Sequence, residues 1–337
     1  MLTRGEPQTP WTWPSTAKEK RKYVNSLRCS KDDITAARSA LGKVVHVCHH
    51  ETNLPVLRVT TCGSVGKRTA STKSFDLDLV VTIDGLDPKS IQSRIGSILD
   101  QIQDAMDRRY PGTRDPDWYR KFGLRYKIEH MEIDILIAAP GVLPKDFLEA
   151  TPIERAFLSA SVSHLTKRVV GHFPVLYGDI VRVVKDWRDS FRWPTNAKPK
   201  SYLLELLVLQ AYKGNPYFVD PGYVHVGLMQ RILARFFELI AQVPLVDEMD
   251  EDCYYSKDNL PRLFACSEKY YKIADLPLDD PEPIFAVKLK SSKELRKATA
   301  IVMDPVNPTN NLWLTLRAPD LLVHRARDAH EQFARYN

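Results

Sequence analysis

Gly63-Ser-Val-Gly-Lys-Arg-Thr-Ala-Ser-Thr-Lys-Ser-Phe-Asp-Leu-Asp78 is the stretch on which the reading of this 337-residue chain turns. Residues two apart on a strand point to the same face. Asp76 and Asp78 therefore project together, opposite the apolar set Phe75, Leu77, Leu79, Val81 and Ile83. Two carboxylates at that spacing repel each other unless a cation lies between them, and an all-oxygen site suits Mg²⁺. Gly63-Ser64 precedes the strand, where a glycine lets backbone approach a phosphate and the serine hydroxyl and nearby amides can donate to it. A Walker phosphate loop fits poorly. Gly66-Lys67 is followed by Arg68 rather than Ser or Thr, and Thr61 stands where the first glycine belongs.

Further along, Met131-Glu-Ile-Asp-Ile-Leu-Ile137 alternates cleanly, with Met131, Ile133, Ile135 and Ile137 on one side and Asp134 on the other. If this strand pairs beside the first, three carboxylates converge. Such a set can hold two metals that activate an attacking hydroxyl and neutralise a departing pyrophosphate. An Asp-x-Asp pair on a strand is by itself usually a solvated face. The Gly-Ser turn, the third strand-borne aspartate and the helical second half together favour catalysis.

Around these strands, Ser30-Lys-Asp-Asp33 reads as a capping sequence, followed by Ile34, Ala37, Leu41, Val44 and Cys48 at helical spacing. Leu57-Arg-Val-Thr-Thr-Cys62 reads as a strand, and Leu124 to Ala138 holds more strand. Ile91, Ile95, Ile98, Ile102 and Met106 form one helical stripe. From Thr151 helices are expected near Pro152, Asp179, Ser201, Val224 and Pro319, with few strands. The expectation is an α+β chain of two lobes: a mixed sheet-and-helix lobe over residues 1–165 and a mainly helical lobe over 166–337. The first fifteen or so residues, with Pro7, Pro10 and Pro14, read as loosely held.

The hydrophobic fraction of 44% and charged fraction of 27% are those of an ordinary soluble protein. No apolar run approaches the roughly 18 residues of a membrane span, and Met1-Leu-Thr-Arg-Gly-Glu-Pro7 has no apolar stretch like a secretory signal. Five scattered cysteines, Cys29, Cys48, Cys62, Cys253 and Cys266, fit a reducing compartment. The expected location is the cytoplasm, with no membrane partner. A net charge of +6 favours a polyanionic partner without requiring one.

The motif residues resemble a known family. Gly63-Ser-x-Gly-Lys-x-Thr69 followed by Asp76-Leu-Asp-Leu-Val-Val81 is similar to the signature of the oligoadenylate synthases, within the polymerase-β-like nucleotidyltransferases that also include the cyclic GMP-AMP synthases. Met131 to Leu136 is similar to the segment bearing the third metal ligand. Arg182-Val-Val-Lys-Asp-Trp187 with Tyr202-Leu-Leu-Glu-Leu-Leu207 resembles the helices opening the family's second lobe, and Asp304-Pro-Val-Asn-Pro-Thr-Asn-Asn311 resembles a segment near the end of the family's domain. The resemblance covers roughly residues 20 to 320, and the late Asp-Pro segment is its most selective part.

What the resemblance implies is a bilobal polymerase-β-like fold in which Asp76, Asp78 and Asp134 hold two Mg²⁺ ions, with Mn²⁺ as a substitute. Gly63 and Ser64 would hold the donor triphosphate of ATP. Lys67, Arg182 and Lys185 would match residues facing double-stranded RNA, the activator. The family moves an adenylate from ATP onto the 2′-hydroxyl of another adenosine nucleotide, releasing pyrophosphate and building a linear 2′-5′ oligomer in antiviral innate sensing. Two departures stand out. Arg68 follows Gly66-Lys67 where a small residue is usual, and the family's donor-phosphate lysine has only Lys198 and Lys200 nearby, neither in clean register. The alternative within the same chemistry is a zinc-free cyclic dinucleotide synthase, since no compact His-Cys-Cys-Cys insertion lies between the lobes. A non-catalytic RNA-binding relative is disfavoured by the three aspartates, and an RNA-tailing polymerase by the segment 304–311. Arg182, Lys185 and Arg188 recur every three residues and are expected to form one basic helical edge, with Arg192 beyond it. His46 and His50 lie one helical turn apart without evident partners for a zinc site.

Overall fold

The computed structural model describes residues 11–72, 75–116, 122–142, 175–193, 198–199, 201–212, 226–241 and 319–334, with isolated positions 154, 157, 158, 160, 161, 163, 167 and 173. Lys200 and the segment 304–311 lie outside the described residues, and only isolated positions of the helix expected near Pro152 fall within them. Two compact units form. One takes its described residues from Cys29–His172; the other takes them from Met1–Arg28, Phe173–Tyr270 and Asn310–Asn337.

In the first unit a twenty-residue helix, α2 (Lys31–His50), begins at a reciprocal capping box in which Ser30 and Asp33 satisfy each other's backbone amides. Its buried stripe is Ala37, Ala40, Val44, Val47 and Cys48, while Ile34 in the first turn stays exposed. Strands β1 (Val56–Thr61), β2 (Leu77–Ile83), β3 (Gly123–Ile128) and β4 (Met131–Ala138) form a mixed sheet in the order β1-β2-β4-β3. The central pair β2/β4 is parallel and both outer pairs are antiparallel. Helix α4 (Ile91–Arg109) supplies Ile91, Ile95, Ile98, Ile102 and Met106 to the core, as the 3.6-residue spacing requires.

One sheet face carries that core: Leu77, Leu79, Val81 and Ile83 from β2 and Ile133, Ile135 and Ile137 from β4 are essentially inaccessible to solvent. Phe75, expected to start the strand, lies just before it and packs partly against the same core. The β3–β4 hairpin turns through two residues, Glu129 and His130, both with positive φ (50° and 69°), as a tight right-twisting hairpin demands. Lys43 and Ser39 of α2 hold the Glu129 carboxylate, tying the turn to the helix.

In the second unit the described residues are helical: α1 (Ala17–Leu27), α5 (Val175–Asp189), α6 (Ser201–Tyr212), α7 (Val226–Ala241) and α8 (Pro319–Ala334). The basic run Lys18 to Lys22 lies in α1, capped by Thr16 with Glu19 three residues on. Tyr23 Oη donates to Asp186 at 2.5 Å and Arg28 forms a two-point ion pair with Asp179, which tie α1 to α5. Residues 11–28 thus belong with the helical unit, where the sequence grouped residues 1–165 together. Loose attachment, expected for the first fifteen residues, does not describe Trp11 and Trp13. Both are buried, Trp11 against Phe237 and Trp13 against Phe333. Large apolar rings offset the entropy of ordering a chain end. Among the described residues no helix is long and apolar enough to cross a membrane.

Candidate active site

The parallel pairing of β2 with β4 sets Asp78 directly beside Asp134, one residue pair out of a ladder running from Leu77/Ile133 to Thr82/Ala138. Asp76, two residues before Asp78, adds a third carboxylate. One oxygen from each of the three lies within 4.8 Å of the others, and theirs is the only such group of three potential ligands among the described residues. His46 and His50, whose rings lie 5.0 Å apart, gather no third ligand there.

The turn before β2 is shaped around this cluster. Cys62 N–H donates to the Asp78 carbonyl at 2.8 Å, and the chain then makes a single helical turn, α3 (Gly63–Gly66). Gly63 sits at φ +54°, and a Cβ there would lie 1.6 Å from Asp78 Oδ2. Only glycine fits, because conformation and space both forbid a side chain. Gly66, Lys67 and Thr69 amides donate back to Cys62, Gly63 and Ser64 carbonyls, fixing the turn. Arg68 takes φ 59°, the left-handed region that glycine adopts most readily, at the position where the sequence departs from the family pattern. Ser64 Oγ is buried with no hydrogen-bonding partner among the described residues. A buried hydroxyl of that kind is costly unless something accepts or donates there.

Electrostatics reinforce the picture. Burial, followed by the charges of Asp76 and Asp134, pushes the Asp78 carboxyl up to about 7, against the opposing pull of Lys67 and Arg125. Lys67 therefore lies close enough to act on the Asp78 carboxyl. Three acidic groups crowded in this way, next to an orphaned hydroxyl and a glycine against which the Asp78 carboxylate packs, fit a divalent cation with a phosphate beside it.

Two basic residues at the site were not found from the sequence. Arg125 on β3 grips Asp134 with Nε to Oδ1 at 2.6 Å and Nη2 to Oδ2 at 2.7 Å. Lys167 reaches Thr61 Oγ1 at 3.2 Å, beside the Gly63–Gly66 turn. Arg125 was legible in principle: a two-residue turn at 129–130 puts position 125 opposite 134. Lys167 carried no pattern.

Of the other expected site residues, Arg182, Lys185 and Lys198 belong to the helical unit. In the helical unit Arg182 pairs with Asp179 at 2.9 Å and Lys185 with Glu205 at 2.9 Å, with the Lys185 side chain only 9% exposed. Arg188 is buried against Asp189, the Pro199 carbonyl and Ser201. The expected basic edge is therefore turned inward, because the face shared by 182, 185 and 188 meets buried acceptors on its own helix and on α6. Lys198 pairs with Asp189 at 2.9 Å and is half exposed. Cys48 and Cys62 are free thiols, and burial pushes Cys48 up to about 12, which makes it inert.

A mixed sheet with paired strand-borne aspartates after a Gly-Ser turn is the polymerase-β-like nucleotidyltransferase fold. Comparison with solved structures agrees: the chain is similar to CdnC of E. coli MS115-1 solved in complex with HORMA-deltaN, with a TM-score of 0.52 and 18% identity over 93% of this chain and 89% of that one. CdnC solved with ATP gives a TM-score of 0.51 and 17% identity over the same shares. No family model matches the sequence, and no curated protein matches it. These likenesses show the fold alone.

Proposed function

We propose that the chain is a template-independent nucleotidyltransferase that takes ATP as donor, releases pyrophosphate and builds a 2′-5′ linked oligoadenylate. The observation that carries the reading is the convergence of the Asp76, Asp78 and Asp134 carboxylates within 4.8 Å beside the Gly63 turn. Asp76, Asp78 and Asp134 would hold the divalent ions, Mg²⁺ or Mn²⁺. When bound, two such ions supply Lewis acidity toward an attacking hydroxyl and a leaving pyrophosphate. Ser64 Oγ donates to a phosphate oxygen of the donor, and Gly63 lets the turn pack closely against the Asp78 carboxylate. Lys67 adds positive charge near the polyphosphate.

Support for the oligoadenylate product comes from sequence, in the segment Asp304 to Asn311 and in Arg182 to Trp187 with Tyr202 to Leu207. Activation by double-stranded RNA rests on that resemblance alone, since Arg182 and Lys185 are engaged within the helical unit. The reading places the enzyme in the cytoplasm as a sensor of foreign RNA.

Incubation with Mg²⁺ and all four nucleotides, with and without double-stranded RNA, tests it by mass analysis of the products. A linear oligoadenylate that RNA increases is expected. A phosphatase-resistant cyclic dinucleotide would move the chain to the zinc-free cyclising enzymes, and an extended RNA 3′ end would make it a tailing polymerase.

A further inference from the structure

Arg125 stands in the carboxylate hollow with no part in the chemistry above. Strand β3 runs antiparallel to β4 in a register that puts Arg125 directly across from Asp134, on the same face of the sheet. Its guanidinium takes both oxygens of that carboxylate, at 2.6 and 2.7 Å, in the two-point geometry that an ammonium cannot reproduce. The hydrogen bonds to Asp134 come first among the causes that hold Arg125 above its usual range, and the charges of Glu132 and Asp76 add to them. Asp134 is nearly buried, with a side chain 10% exposed, whereas that of Arg125 is 26% exposed. The carboxylate thus has little water to turn to, while the guanidinium has an outlet.

Resting on the metal-binding reading of the three aspartates, we propose that Arg125 is a built-in counter-cation for the third of them. Its guanidinium neutralises Asp134 and competes with a divalent ion for the same two oxygens, so that it sets the metal affinity of the nucleotide-free hollow. Three carboxylates and one guanidinium leave a net charge of −2. A divalent ion entering there meets the fixed positive charge of Arg125 within a few ångströms, and to use Asp134 it must share or displace the fork. Even at the dielectric constant of water, a +1 charge about 5 Å from a +2 ion weakens binding by roughly tenfold. An arginine that served only to orient the ligand would do the reverse, and its loss would weaken metal binding.

Titration of the full chain with Mn²⁺ alone, followed by the paramagnetic resonance of free Mn²⁺ and without nucleotide, separates the two roles without any turnover. Arg125→Met is expected to bind Mn²⁺ about tenfold or more tighter than the parent, with Arg125→Lys in between. In an Asp134→Asn background the Arg125→Met gain should shrink, because the competition for the Asp134 oxygens is gone and only the repulsion between Arg125 and the ion remains. Equal or weaker binding by Arg125→Met, or a gain undiminished by Asp134→Asn, overturns the proposal. Circular dichroism checks folding, and if Arg125→Met does not fold, Arg125→Lys decides alone: tighter binding than the parent supports the proposal, and equal or weaker binding overturns it. A failure of the metal reading itself shows differently: Asp78→Asn would then leave Mn²⁺ binding unchanged in every background.

Discussion

Replacing Asp78 by asparagine should make the metal-free protein more stable while destroying its site. The carboxyl ordinarily titrates at 3.8 and is pushed up to about 7 by burial and by Asp76 and Asp134. A raised acid favours the folded state at low pH, and that advantage is lost as pH rises through the folded value. Above about pH 7 the ionised group therefore opposes folding, by roughly 4 kcal/mol at the full linkage limit. Partial access of water to the hollow and loss of favourable contacts to Lys67 and Arg125 bring the expected gain of D78N down to about 2 kcal/mol at pH 8. At pH 5, where Asp78 is protonated in the folded chain, roughly a third of the limiting cost remains, and the gain should shrink in proportion. Urea unfolding in EDTA at the two pH values reads this directly. Added Mn²⁺ should then stabilise the parent and leave D78N unmoved. A D78N protein less stable than the parent at pH 8, or a gain equal at both pH values, would refute the idea that burial and the neighbouring carboxylates make the ionised Asp78 costly.

Gly63→Ala places a Cβ at 1.6 Å from Asp78 Oδ2 in a left-handed backbone. It should cost about 2 kcal/mol or more in unfolding experiments and reduce pyrophosphate release by over about a hundredfold. Because the proton on Asp78 leaves only above about pH 7, Mn²⁺ affinity should fall by up to about tenfold for each pH unit below it, with proton release on binding measurable by calorimetry in buffers of different ionisation enthalpy. Lys185→Met leaves the buried Glu205 carboxylate without the ammonium it holds at 2.9 Å and should lower stability by about 3 kcal/mol, much of it restored by adding Glu205→Leu. Lys185 therefore supports the helical unit, and a loss of RNA affinity without loss of stability would contradict its burial.

Much of the sheet unit was legible because alternation and capping are local signals. Asp76-x-Asp78 and Asp134 were readable as polar positions in apolar runs, and their meeting required only that β2 and β4 be neighbours, which they are. Ser30 and Asp33 marked the start of α2 by the same local logic. Periodicity says which residues share a face and not where that face points, so Arg182, Lys185 and Arg188 read as an outer basic edge although Asp179, Glu205 and the Pro199 carbonyl draw them inward. The assignment of α1 to the helical unit depends on Tyr23 finding Asp186 and Arg28 finding Asp179, contacts more than 150 residues apart in sequence. Trp11 and Trp13 misled for a related reason: the prolines around them speak for local looseness, and the rings that bury them, Phe237 and Phe333, come from distant helices.

Pyrophosphate release from ATP in Mg²⁺, measured for the parent chain beside Asp78→Asn and Asp134→Asn, bears most directly on the site. Release by the parent that falls at least about a thousandfold in both variants, with their folds intact by circular dichroism, is the expected result. Undiminished release from either variant would mean that the acidic hollow between β2 and β4 is not where the chemistry occurs.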